Sequence, residues 1–113
     1  MIRSRSTAAK LSGAAPVFTA LGDETRLRIV SRLSREGPLS ISRLTDGSAM
    51  SRQAVTKHLR VLSEAGVARS RRHGRERIWE IESQRLAEVR QYLGEISEQW
   101  DDALARLQRM VER

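Results

Sequence analysis

Apolar and polar positions recur with a helical period between Ser51 and Gly66. The apolar positions follow one another at steps of three and four residues, which places them on one stripe of a helix. This stripe consists of Ala54, Val55, His58, Leu59, Leu62 and Ala65. The opposite side carries hydrogen-bond donors and no acidic residue: Arg52, Gln53, Thr56, Lys57 and Arg60. Ser51 can cap the helix at its start and Gly66 can end it, so the pattern predicts an amphipathic helix with a cationic outer face.

Three helices are predicted before this one, and the first two follow Pro16 and Asp23. Pro16 suits the first turn of a helix, and Gly22 ends the short apolar face that follows, formed by Val17, Phe18 and Leu21. Asp23 can cap the next helix, and Gly37-Pro38 can end it. That second helix is predicted to bury Leu27, Ile29, Val30 and Leu33.

A third, brief helix is predicted after Ser40, which can cap it. Leu39 is expected to be extended, and Ile41 and Leu44 anchor the helix before the chain turns at Gly47-Ser48. Two short helices around a tight glycine-containing turn form a helix-turn-helix. In such a unit the second helix, here the one after Ser51, enters the DNA major groove.

The period becomes strand-like after Gly66. Val67 to His73 and Arg75 to Ile81 are predicted to be two strands joined at His73-Gly74, where glycine can adopt a positive φ. Trp79 is expected to share a face with Ile81. The tip of this hairpin, residues 69–77, carries five arginines against the single Glu76: Arg69, Arg71, Arg72, Arg75 and Arg77. Such a concentration of positive charge favours a nearby anion, so we predict a basic DNA-binding wing, with a merely solvated hairpin as the alternative.

From Ser83 onward the pattern is that of one long helix of about 30 residues, which would extend about 45 Å. Its apolar residues alternate between steps of three and four, which defines a heptad seam. The seam consists of Leu86, Val89, Leu93, Ile96, Trp100, Ala103, Leu107 and Met110, and Leu104 and Val111 widen it. One small domain covers only part of such a seam, so we predict a homodimer in which a second copy covers the rest. Val17, Phe18 and Leu21 are predicted to join this dimer surface, and a helix folded back on its own core is the alternative.

Composition restricts the class of protein further. The 113 residues indicate one domain, predicted to span residues 15–112 after a flexible basic arm of residues 1–14. There is no cysteine, which excludes disulfides, thiolate metal sites and a cysteine nucleophile. No apolar run approaches the about 20 residues of a membrane span and no signal pattern opens the chain, so we expect a cytoplasmic protein.

Positive charge is concentrated before the long helix. Residues 1–82 hold 16 Lys and Arg against 8 Asp and Glu, whereas residues 83–113 hold 5 against 6. This distribution favours polyanion contact in the first part and protein contact in the second. An enzyme is not expected, because neither histidine has an obvious carboxylate partner and no phosphate-cradling glycine loop appears.

Three segments together resemble the ArsR family of dimeric winged-helix repressors: DETRLRIVSRL, MSRQAVTKHLRVLSEAGV and RSRRHGRERIWEI. The resemblance covers Pro16 to Ile81, with the long last helix in the family's expected place. It implies a mainly helical (α+β) winged helix-turn-helix fold with a two-stranded wing. It also implies a homodimer that binds a partly palindromic operator and represses transcription, often of its own operon.

The resemblance also identifies a departure from the family's metal sensors. Some of those members carry a cysteine pair on the helix before the recognition helix, where this chain has ISRLTDG. Others carry Asp, His and Glu on the last helix, where this chain has Glu95, Glu98, Asp101 and Asp102 without a histidine. Carboxylates alone bind zinc-like ions poorly. The resemblance therefore implies a member without a metal site or other cofactor, and His58 is interpreted as a packing or phosphate contact.

The predicted partner of the Ser51 helix is double-stranded DNA. The two such helices of a dimer would lie in successive major grooves, about 34–36 Å apart. Gln53 could pair with adenine and Arg52 or Lys57 with guanine, while Thr56 could touch a thymine methyl group.

Other side chains are predicted to hold the DNA backbone. Ser51, Arg60 and the free N–H groups at the helix start would bind phosphates. Arg72 and Arg75 would bracket the minor groove. A small-molecule effector could enter near Trp100, although packing in the seam is the favoured role of that side chain.

A non-specific architectural DNA-binding protein would present a similar basic surface. The two classes differ in their preference for one sequence, because genuine operators usually bind about 10³-fold or more tightly than random DNA. An RNA-binding protein is a weaker alternative, since single-strand binders present several stacking aromatics and this chain has four aromatic residues in all.

Overall fold

The structure is a computed structural model that describes residues 13–112. The first described helix, α1, runs over residues 13–21, and Ala14 is buried in it. The prediction that the flexible arm extends to residue 14 is therefore wrong at residues 13 and 14, because these residues already belong to a helix that includes Pro16. The rest of the predicted arm lies outside the described residues.

The other elements confirm the predicted mainly helical class with a small sheet. Within residues 13–112, α1 is followed by α2 (Glu24–Glu36), β1 (Leu39–Ser40), α3 (Ile41–Thr45), α4 (Arg52–Glu64), β2 (Ala68–His73), β3 (Glu76–Ile81) and α5 (Ser83–Val111). The strands form an antiparallel sheet in the order β1-β3-β2. None of the described helices combines the length and the apolar character that crossing a bilayer requires.

Side-chain caps begin three of the helices where the sequence places them. The Asp23 carboxylate accepts a hydrogen bond from the Arg26 N–H at 3.0 Å. The Ser40 hydroxyl accepts one from Arg43 at 3.2 Å, and Ser51 starts α4 in the same way. Each cap satisfies one of the backbone donors that a helix start leaves unpaired.

The predicted two-stranded wing is the β2–β3 hairpin, and β1 joins its base to form a three-stranded sheet. The extended segment predicted at Leu39 is β1, which pairs with β3 through Leu39–Trp79 and Ser40–Ile78. Because β3 lies between two strands, the base of the hairpin is fixed to the body, and Trp79 is buried there.

The turn of the hairpin lies one residue later than predicted. His73 pairs with Glu76, so the loop consists of Gly74 and Arg75. Gly74 has φ +63°, and every positive φ among the described residues belongs to a glycine. A two-residue loop with glycine first is the pattern of a type II′ turn, whose twist matches that of the strands.

The core is built around the apolar stripe of α4, although the stripe is narrower than predicted. Leu59 and Leu62 are fully buried, whereas Ala54 and His58 are partly exposed. On α2 the prediction is wrong for Leu27, which is 49% exposed. It precedes the buried Ile29 by two residues, and about 200° of helix rotation turns it away from the core.

Leu59→Ala should lower the free energy of unfolding by about 2–5 kcal/mol, because it opens a cavity where the side chain is fully enclosed. Urea unfolding followed by circular dichroism, at one chain concentration, measures this loss. Leu27→Ala removes the same atoms from an exposed position and serves as the control. An equal loss in both variants would contradict the assigned core.

Candidate nucleic-acid interface

The outer face of α4 presents four long polar side chains to solvent. Arg52, Gln53, Lys57 and Arg60 are exposed. Within residues 13–112, none of these side chains forms a hydrogen bond or an ion pair. These four of the predicted DNA-contact residues therefore lie on one face of α4, and their donors are free for an external partner.

Two smaller predicted contact residues at the start of α4 also bond to the helix itself. The Ser51 hydroxyl accepts a hydrogen bond from the Ala54 N–H at 3.1 Å, so its proton remains for an outside acceptor. The Thr56 hydroxyl donates to the Arg52 carbonyl oxygen at 2.8 Å. This leaves the methyl group as the outward contact that Thr56 offers. The first N–H groups of α4 have no acceptor within the helix.

His58 lies against α2 rather than among the free donors. Its Nδ1 is 3.4 Å from Nη1 of Arg26, and the Arg26 Nε donates to the Ala20 carbonyl oxygen at 2.6 Å. Since a guanidinium group has no acceptor, Nδ1 must be the accepting nitrogen in this contact. The backbone N–H of Arg26 lowers the pKa of the Asp23 carboxyl, and the guanidinium charge adds to this effect. The Arg26 side chain thus connects Ala20 of α1 with His58 of α4, a contact that the sequence analysis did not predict. This contact favours a packing role for His58.

Two of the five wing arginines have counter-charges that the sequence analysis did not foresee. Arg69 contacts Glu80 at 3.1 Å and Glu82 at 3.2 Å, and Arg71 lies 3.9 Å from Glu80. These glutamates lie outside the arginine-rich tip of residues 69–77 and supply part of the negative charge that its arginines need. Glu80 could have been found from the sequence, because an antiparallel hairpin with a two-residue turn places it opposite Arg69.

The other three arginines lie nearer the turn. Arg72 and Arg75 are exposed and have no ion pair within the described part of the chain. Arg77 lies opposite Arg72 and donates from Nη1 to the Ser70 hydroxyl at 2.9 Å. The tip of the wing thus keeps an uncompensated positive charge, as the sequence predicts.

The long helix α5 keeps much of its apolar seam exposed in the single chain. Leu93, Trp100, Leu104 and Leu107 are all exposed, and Trp100 is 64% exposed. Of the other predicted dimer residues, Phe18 is exposed, while Leu21, Leu86 and Ile96 are half-buried.

Two residues predicted at the dimer surface belong instead to the core of the subunit. Val17 is fully buried and Val89 is 6% exposed, and both lie in the same apolar cluster as Leu59. Both residues are buried because the first turns of α5 pack on the body of the same subunit and α1 turns Val17 inward. Phe18, beside it, meets Tyr92 with ring centroids 6.4 Å apart. Tyr92 is not among the residues predicted for this apolar surface, although it lies three residues after Val89 and four before Ile96, which is the spacing of one helix face.

The described residues include no group of three or more His, Asp or Glu side chains placed to hold a metal ion. The chain contains no cysteine. The predicted absence of a cofactor stays a prediction.

Together the helix-turn-helix, the basic hairpin and the long final helix define the winged helix-turn-helix class. Residues 21–71 match a family model described as a helix-turn-helix domain. The HTH-type transcriptional regulator YuzN of Bacillus subtilis (strain 168) is 40% identical over 68 residues, which are 55% of this chain and 74% of the relative.

Solved structures agree with this class. An ArsR-like transcriptional regulator from Rhodococcus sp. RHA1 superimposes with a TM-score of 0.75 at 36% identity, over 93% of this chain and 95% of the other. A winged helix-turn-helix DNA-binding domain from Mycobacterium bovis, described as homodimeric in solution, has the same fold with a TM-score of 0.65 at 23% identity, over 80% of this chain and 83% of that one. The chain belongs to the ArsR family of transcriptional regulators, and it carries that family's helix-turn-helix DNA-binding domain.

Ser51→Ala should lower the free energy of unfolding by about 1 kcal/mol, because α4 then loses the cap that the Ser51 hydroxyl provides. Thermal and urea unfolding measure the change. Ser63→Ala, at an exposed position late in the same helix, should have little effect. Equal destabilisation by both substitutions would show that the cap contributes nothing.

Proposed function

We propose that this protein is a homodimeric repressor that binds a palindromic operator in double-stranded DNA without a metal cofactor. The observation that carries the proposal is the outer face of α4, where Arg52, Gln53, Lys57 and Arg60 leave their donors unused. Long donors on the exposed helix of a helix-turn-helix are suited to base edges and phosphates in the major groove.

Gln53 is the proposed reader of base identity. It lies in the first turn of α4 and is exposed, and its amide can both donate to and accept from adenine. Arg52 and Lys57 are proposed to contact guanine, and the free methyl of Thr56 a thymine methyl.

Backbone contacts are proposed for a second group of side chains. Ser51 keeps a hydroxyl proton for a phosphate oxygen, and the helix start offers free N–H groups and a positive dipole end. Arg60 and the wing residues Arg72 and Arg75 supply full charges. Phosphate contacts of this kind fix the register of a protein on DNA without reading its sequence.

The dimer is proposed from the exposed seam of α5. Trp100, Leu104 and Leu107 are each more than half exposed in the single chain. A contiguous apolar surface of this kind usually marks a protein interface. The homodimeric state of the structural neighbour from Mycobacterium bovis supports the same arrangement here.

Selection from a random duplex library with the full chain tests the proposed function. A repressor of this kind should enrich one inverted repeat with half-sites about one helical turn apart. It should bind that duplex about 10³-fold or more tightly than a scrambled duplex of the same composition. A non-specific architectural protein would enrich no repeat and bind both duplexes alike.

Gln53→Ala should weaken binding to the selected duplex by about 1–3 kcal/mol and leave binding to the scrambled duplex almost unchanged, because it removes a contact to a base edge. Fluorescence anisotropy at fixed salt measures both affinities. Gln84→Ala, at an exposed position on α5, is the matched control. If Gln53→Ala keeps the wild-type ratio of the two affinities, Gln53 does not read the sequence.

Leu107→Asp should shift the chain from dimer to monomer, raising the dissociation constant of the dimer by about tenfold or more, because the seam would bury an unpaired carboxylate. Sedimentation velocity at micromolar chain concentration measures this. Ala105→Asp adds the same charge at an exposed position of the same helix outside the seam and should leave the dimer intact. A wild-type chain that sediments as a monomer would overturn the proposed assembly.

A further inference from the structure

The hairpin formed by β2 and β3 has two faces, and strand register assigns each side chain to one of them. Directly paired residues of an antiparallel ladder point to the same side, and successive residues point to opposite sides. We call the side that holds the buried Trp79 the inner face; it consists of Ala68, Ser70, Arg72, Arg77, Trp79 and Ile81. The outer face consists of Arg69, Arg71, His73, Glu76, Ile78 and Glu80.

The outer face is electrically balanced. Its two arginines, Arg69 and Arg71, are matched by two glutamates, Glu76 and Glu80. Arg69 contacts Glu80 at 3.1 Å and, just past the strand, Glu82 at 3.2 Å. Arg71 is the looser partner, 3.9 Å from Glu80. These arginines already have their anions within the hairpin.

The inner face carries two arginines and no acidic residue. Arg72 and Arg77 form a directly opposed pair, which brings their Cα atoms to within about 4.5–5.5 Å. Like charges in this position are mutually destabilising. Arg77 donates one hydrogen bond from Nη1 to the Ser70 hydroxyl oxygen at 2.9 Å. Within residues 13–112, Arg72 has no partner that could offset the repulsion.

We propose that Arg72 and Arg77 together form the phosphate-binding clamp of the wing, and that Arg69 and Arg71 serve the internal pairing of the hairpin. A phosphodiester of the DNA backbone seated between the two guanidinium groups replaces their repulsion with charge-assisted hydrogen bonds. The inference rests on the proposed DNA-binding function and adds Arg77 to the wing contacts. It also identifies the inner face as the side of the hairpin that contacts DNA.

A matched pair of substitutions tests the assignment. Arg77→Gln and Arg71→Gln remove the same charge from the same exposed hairpin, but from opposite faces. The probe is a random-sequence duplex, whose affinity is measured across a KCl series. Each lost phosphate contact lowers the slope of log affinity against log salt by about 0.9. Ser70→Ala removes the hydrogen bond of Arg77 without changing charge and controls for disturbance of the hairpin.

Arg77→Gln should reduce the salt slope by about one phosphate contact, Arg72→Gln should do the same, and Arg71→Gln and Ser70→Ala should keep the wild-type slope. Equal slopes for Arg71→Gln and Arg77→Gln, whether both lowered or both unchanged, would overturn the assignment to one face. The random duplex needs no operator, so this result stands apart from the selection experiment. Failure to enrich a repeat would overturn the sequence-specific function and leave the clamp to be judged by its salt slopes.

Discussion

The packing of one face of α4 against the core determines how the other elements and the polar surface are oriented. Leu59 and Leu62 are fully enclosed, and α4 packs against both α3 and β2. Burial of these side chains fixes the rotation of the helix about its axis, because a rotation would expose them to water. The same constraint holds Arg52 and Gln53 outward, so the polar face is oriented by the apolar one. The Arg26–His58 contact adds a polar connection to α2 on a third side.

Much of this architecture follows from local sequence signals. The start of α4 is predicted correctly because Ser51 provides a strong cap, and its end because Gly66 can adopt the φ of +79° found there. The heptad pattern likewise gives the length of α5. The free donors of the candidate interface are also predictable, since an amphipathic helix with a known apolar stripe has a known opposite face.

Tertiary contacts decide what local patterns leave open. Val17 and Val89 continue apolar patterns that suit either a dimer surface or a core, and the packing of α1 and α5 onto the body decides for the core. Leu27 shows the reverse case, since its apolar character does not overcome its position on the helix. The counter-charges of Arg69 come from residues 11 and 13 positions later in the chain. Such pairings become visible once the register of the hairpin is known.

The two-residue turn at Gly74 and Arg75 makes the evolution of the wing sensitive to odd and even changes in length. One residue added to or lost from a single strand moves every side chain beyond it to the other side of the sheet. A one-residue change in β2 before Arg72 would therefore place Arg72 on the face opposite Arg77. A two-residue change in β2 alone would return it to the same face, but no longer directly opposite Arg77. Homologous wings that retain an opposed arginine pair on this face are expected to change both strands, between the base of the hairpin and the pair, by the same even number of residues.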